Sequence, residues 1–163
     1  METLWSPWRY EYLTSGGSEK PDPSSCIFCE LHQNKIDDES KFIVRRGVYN
    51  YVVLNLYPYI SGHLLIVPYA HLGEFDSAPK ETTDELMDLT KRCQTALRDV
   101  YQPQGFNIGM NLGRPAGAGI ANHIHMHIMP RWTGDTNFMS TVGETRVIPE
   151  DLPTTYQKLR GRI

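Results

Sequence analysis

The stretch Asn122-His123-Ile124-His125-Met126-His127-Ile128-Met129-Pro130-Arg131-Trp132 holds three of the chain's six histidines within five residues, in strict alternation. Two is the strand period, so the three imidazoles should line one face while Ile124, Met126 and Ile128 enter a core on the other. At about 3.3 Å rise per residue, successive histidines would stand roughly 6.6 Å apart. Pro130 cannot donate to a sheet ladder, so the strand is expected to end there or to become an edge. Such a row is open to three readings: chance exposure on a strand, a His-X-His metal site, or nucleophilic catalysis. In the last, one imidazole attacks while its neighbours set its tautomer and bind the substrate anion.

Two other stretches offer chemistry. Cys26-Ile27-Phe28-Cys29 is a Cys-X2-Cys pair, half a zinc site or a redox couple. No second such pair exists in the chain, so a Cys2His2 site would need His32, His63, His71 or a triad histidine. Cys93 falls on the apolar stripe of a helix and reads as core. Gly113-Arg-Pro-Ala-Gly-Ala-Gly119 carries three glycines just ahead of the histidines. Glycine lets backbone N–H groups approach an anion, so this loop reads as a phosphate cradle, with Arg114 as a further anion partner. It lacks the Gly-Lys-Ser/Thr of a P-loop.

The elements that must position these groups are readable in outline. Strands are expected over 42–45, 49–56, 63–67 and 106–112, the third nearly all apolar and so central. With the histidine strand this makes five. Residues 80–101 read as the clearest helix, with Leu86, Leu89, Cys93, Leu97 and Val100 at three- and four-residue steps. Thr82-X-X-Glu85 resembles a capping box, and Pro103 and Gly105 stop the helix. A last helix is expected over about 150–159. Residues 4–12 are dense in aromatics, and 15–25 read as a polar loop.

Composition bounds the class. A chain of 163 residues fits one domain with a real core, and 40% hydrophobic with 21% charged residues is ordinary for a globular protein. A formal charge of -3 argues against general nucleic-acid binding. No apolar run reaches the roughly 20 residues of a membrane span. The N-terminus lacks the pattern of a signal peptide. Three cysteines do not form a disulfide framework, and a reducing cytoplasm is the expected setting.

His123-Ile-His125-Met-His127-Ile-Met resembles the motif that names the histidine-triad (HIT) family of nucleotide hydrolases and nucleotidyltransferases. The resemblance covers most of the chain: Leu54-Asn55 before a loop, Gly62-His63 opening a strand, Asn111 opening the glycine loop, and the triad itself. The flanks Leu4-Trp-Ser-Pro-Trp-Arg9 and Pro130-Arg-Trp-Thr-Gly-Asp-Thr-Asn-Phe138 resemble the mycobacterial-type diadenosine tetraphosphate phosphorylase branch.

What the resemblance implies can be stated residue by residue. The fold would be α+β and HIT-like, a five-stranded antiparallel sheet with one long helix and a C-terminal helix. It would form a single domain over 1–163, with 1–25 as an aromatic arm and polar loop, paired in a two-fold homodimer. His125 would be the nucleophile, His127, in its protonated form, would bind the transferred phosphate, and His63 would lie beside them. Asn55 would sit near the ribose, and Asn111, Gly117, Ala118 and Gly119 near the phosphates. Zinc, structural in role, would be held by Cys26, Cys29, His71 and His123, with no organic cofactor. Many triad hydrolases place a Gln or Ser side chain in the loop before the triad, where Gly119 and Ile120 offer none. The implied activity is cleavage of dinucleoside polyphosphates through a covalent nucleotidyl-histidine, with inorganic phosphate as acceptor. Alternatives are a hydrolase of dinucleoside polyphosphates or nucleoside phosphoramidates using water, a metal-dependent hydrolase, and a nucleotide-binding adaptor without turnover. No nucleic acid and no membrane partner is implied.

Overall fold

A computed structural model describes residues 26–33, 37–143, 145 and 147–163. The expected aromatic arm and polar loop lie outside the described residues. Along the chain run α1 (Ile27–Gln33), β1 (Ile43–Arg46), β2 (Asn50–Leu54), β3 (Leu64–Pro68), α2 (Lys80–Tyr101) and β4 (Gly105–Gly109). A single 3-10 turn, Arg114–Ala116, precedes β5 (Met126–Arg131), α3 (Phe138–Thr141) and α4 (Leu152–Leu159). The strands form one antiparallel sheet in the order β1-β2-β3-β5-β4.

The sheet is covered on both faces, which explains why β2 and β3 are buried at every residue. On one face α2 lays its stripe of Leu86, Leu89, Cys93 and Leu97 over Val52, Leu54, Leu64, Ile66 and Ile128. Each such aliphatic side chain contributes about 1.5–3 kcal/mol by leaving water. The other face carries a smaller core of Phe28, Ile43, Tyr51, Val53, Leu65 and Val67. The register Leu64↔Ile128, Leu65↔His127, Ile66↔Met126 sends Ile128 and Met126 toward the α2 face and His127 toward the smaller core.

Pro130 lies inside β5 opposite Phe106 of β4. Pairing with β3 extends only to Ile128, so Pro130 sits where β5 has a single ladder partner. The strand therefore continues past it as an edge and does not stop.

Glu85 does not close a capping box. The residue preceding α2 is Pro79, and no side chain caps that end. Instead the Glu85 carboxylate accepts from the backbone N–H of Val48 (2.6 Å), Tyr49 (2.7 Å) and Asn50 (2.8 Å) and from Asn50 Nδ2 (2.9 Å). It ties the β1–β2 turn to α2. α4 has the cap α2 lacks: Asp151 accepts from Thr154 N–H at 2.9 Å, and Pro153 fits the first turn. α1 was not expected from sequence; it carries Cys29, and Cys26 immediately precedes it.

Candidate active site and metal centre

Only His127 of the three alternating histidines lies in β5, which begins at Met126. His123 and His125 occupy the irregular run feeding it, pinned where Ile124 N–H donates to Leu72 O at 2.7 Å. Alternation survives this break. The rings of His125 and His127 have centroids 4.9 Å apart with their planes at 60°. All three are buried, as is His63 at the mouth of β3.

The hydrogen bonds fix which nitrogen of each ring carries the proton. Tyr59 N–H donates to His63 Nδ1 at 3.2 Å, and a backbone N–H can only donate. Asn55 Nδ2 approaches the same nitrogen at 3.4 Å. His63 must then carry its proton on Nε2 and donate it to His127 Nδ1, 2.9 Å away. That leaves His127 protonated on Nε2, a buried N–H for which no described residue provides an acceptor. Carbonyls impose the opposite order on the other two rings. His125 Nδ1 donates to His123 O and His123 Nε2 donates to Pro68 O, both at 2.9 Å. The lone pair of His125 is therefore on Nε2, and that of His123 on Nδ1.

Burial favours the neutral form of the three triad rings. Desolvation drives His127 down to about 4, with the nearby His125 as a lesser cause. His125 is lowered by the same desolvation, partly offset by its bond to the His123 carbonyl. Neutral His125 keeps the lone pair a nucleophile needs. The expected protonated His127 is not the resting form: it offers an anion an N–H donor without a full charge.

Asn55 braces His63 through Nδ2 while its Oδ1 accepts from Tyr57 N–H at 3.0 Å. The glycine loop differs from the expected cradle. Gly117 N–H and Ala118 N–H are spent within the loop on Arg114 O (2.9 Å) and Gly113 O (3.3 Å). Asn111 Nδ2 donates to Gly117 O at 3.4 Å, so it stabilises the loop. Positive φ at Gly113 and Gly117 makes this tight turn feasible. Gly119 N–H has no acceptor among the described residues, and Ile120 packs against the smaller core.

Cys26, Cys29, His71 and His123 bring one ligand atom each within 4.8 Å of one another. Sulfur–nitrogen separations are 3.3 Å for Cys26–His123, 3.3 Å for Cys29–His71 and 3.6 Å for Cys29–His123. A tetrahedral zinc with bonds of about 2.3 Å to sulfur and 2.0 Å to nitrogen spans S···N edges of roughly 3.5 Å. Three of the S···N edges thus match a zinc tetrahedron, and the four ligand atoms converge closely enough to suit one ion. His123 offers Nδ1 and fixes that choice by donating Nε2–H to Pro68 O, the outer contact typical of metal-bound imidazole. Burial, with Cys26 next to it, pushes the Cys29 thiol up to about 11, a cost that a cation between the sulfurs would reverse. His32 takes no part: its ring packs on Tyr51 and Tyr69. Cys93 is core.

Sequence reasoning missed two residues here. Phe28, between the cysteines, packs on His123 and His125. Tyr59 stacks on His127 with centroids 6.2 Å apart and planes 13° from parallel. Only their aromatic character and closeness to the motif hinted at either.

A HIT-domain family model matches residues 38–134. The AP-4-A phosphorylase of Mycobacterium tuberculosis is 40% identical over 98% of this chain and 83% of its own length. A histidine triad nucleotide-binding protein from Sulfolobus tokodaii is 27% identical, with a TM-score of 0.66 over 84% of this chain and 91% of that one. A Zn-bound histidine triad family protein from Mycobacterium smegmatis shares the fold, with a TM-score of 0.66 at 24% identity over 85% of this chain and 92% of that one. With its buried alternating histidines, the matched domain and this near full-length relative, the chain belongs to the histidine-triad (HIT) family.

Proposed function

We propose that this HIT enzyme cleaves dinucleoside polyphosphates of the diadenosine tetraphosphate kind, transferring a nucleotidyl group through His125 to inorganic phosphate. The observation that carries the reading is the proton order of the buried histidines: a lone pair on His125 Nε2 beside a donor N–H on His127 Nε2. The relative called AP-4-A phosphorylase supports the substrate class and the acceptor.

In the first step His125 Nε2 attacks the α-phosphorus. A P–N bond forms, the P–O bond to the leaving ATP breaks, and its electron pair departs on oxygen. His127 Nε2–H donates to a non-bridging oxygen, where charge builds up in the transition state. In the second step a phosphate oxygen attacks, the P–N bond breaks, and ADP leaves with His125 neutral again. Splitting the transfer replaces one difficult displacement with two easier ones. His63 holds His127 in its donor tautomer. Asn55 would face the ribose. Asn111 with Gly117, Ala118 and Gly119 would face the phosphates, Gly119 supplying the backbone donor.

Zinc at Cys26, Cys29, His71 and His123 would cross-link α1 to the run preceding β5, a structural role because every ligand is a protein side chain. We assign the protein a reducing cytoplasm, one domain over 1–163 and a two-fold dimer. β4 is an edge strand with Asn107, Ile108 and Gly109 exposed, which leaves a sheet edge available for pairing.

The test is cleavage of diadenosine tetraphosphate with and without inorganic phosphate, the nucleotides being resolved by chromatography. Phosphate should accelerate the reaction and yield ADP with ATP. AMP as the main product at millimolar phosphate would make water the acceptor and overturn the phosphorylase reading.

A further inference from the structure

α1 turns Phe28 inward to 5% exposure. Its ring centroid lies 5.5 Å from that of His123 at 76° and 4.9 Å from that of His125 at 52°, both within the range of favourable aromatic contact. Its backbone is held as well, since the buried Tyr51 donates its hydroxyl to Phe28 O at 2.7 Å. Among the described residues the His125 ring makes a single hydrogen bond, from Nδ1 to His123 O. One bond fixes a nitrogen but not a plane: the ring can still swing about the Nδ1···O line. Among the described residues, Phe28 and His127 are the two rings that pack on His125 and limit that swing.

We infer that Phe28 is a positioning residue: wedged between the Cys26/Cys29/His71/His123 cluster and His125, it sets the plane of the nucleophilic imidazole. The inference rests on His125 being the nucleophile. Two connections then join the cluster to the reacting nitrogen. One is the His123 carbonyl that holds His125 Nδ1–H. The other is the Phe28 ring, carried by the same short helix as Cys29, with Cys26 immediately before its first residue. Order in the cluster is thereby passed to the aim of His125 Nε2, and a misaimed nucleophile slows the chemical step while leaving substrate binding intact.

Phe28→Leu keeps an apolar side chain in the smaller core but removes the flat face. It should bind zinc as the wild type does and change KM by less than about twofold, while kcat falls roughly ten- to a hundredfold, the scale of a small misplacement. Nitrogen NMR of labelled imidazoles supplies a readout that needs no turnover. In the wild type His125 should show one tautomer, protonated on Nδ1. In Phe28→Leu that signal should broaden or split, and stripping zinc from the wild type should do the same. Phe28→Met, of similar volume, is scored by the same readouts in case the leucine variant does not fold. A wild-type tautomer signal together with kcat lowered only in proportion to the folded fraction would overturn the inference. Absence of any adenylyl adduct on wild-type His125 would instead overturn the proposed reaction, and the width and splitting of the His125 signal would still decide whether Phe28 holds the ring.

Discussion

His63 Nε2 lies 2.9 Å from His127 Nδ1, and the bond runs from His63 to His127 because Tyr59 N–H already occupies the far side of the His63 ring. A residue outside the triad therefore decides which nitrogen of the last triad histidine carries a donor N–H. His63→Ala strands a buried acceptor on His127 and frees its tautomer. Stability should fall by about 1–3 kcal/mol and kcat by roughly ten- to a hundredfold. His63→Gln, which keeps an N–H donor, should recover part of both. Steady-state kinetics and thermal melts of the two variants check this, and a His63→Ala enzyme within twofold of wild-type kcat would remove His63 from the mechanism.

Zinc should be present at about one ion per chain when the protein is purified without chelator, because two thiols and two imidazoles converge with S···N separations near those of a zinc tetrahedron. Removing it should lower the melting temperature, since metal binding is linked to folding. Elemental analysis decides: less than about a tenth of an ion per chain would count against the site. Full zinc in His71→Ala would sink this ligand set.

Acid should destabilise the fold before carboxylates titrate. His127 is held down to about 4 when folded and returns to an ordinary value near 6.5 when unfolded, so between those limits the unfolded chain binds more protons. Its contribution is present in full above about pH 6.5 and is lost as pH falls toward the folded value, a loss on the order of a few kcal/mol. Denaturant midpoints taken between pH 7.5 and 5 should decline, and His127→Gln should flatten the slope. A flat wild-type profile over that range would mean that His127 is not neutral when folded.

Self-association is the fourth expectation. Sedimentation at micromolar concentration should show a species of twice the protomer mass, and a lone protomer would refute the dimer.

Much of this was legible in the sequence where the signal is local. Alternation at 123–127 placed the imidazoles on one side, and the three- and four-residue steps from Leu86 to Leu97 gave α2. What failed was long-range. Glu85 looks like a capping residue in its own helix, but its partners at 48–50 lie in another turn. α1, seven residues long, is too short to show a helical period. His71 was one of several histidines that could join the cysteines, and only the family resemblance singled it out, because nothing near it in sequence marks a ligand. The glycine loop announced an anion site by composition, but composition cannot reveal that Gly117 and Ala118 spend their N–H groups on the loop itself.

The central claim is that His125 Nε2 becomes bonded to the nucleotide. Protein mixed with diadenosine tetraphosphate, quenched early and digested, should yield by mass spectrometry a peptide carrying one adenylyl group on His125. His125→Ala should give no adduct and lose turnover while still binding nucleotide. Turnover with no adduct at any quench time, an adduct on another histidine, or a His125→Ala enzyme retaining even about a tenth of the wild-type rate would contradict the account.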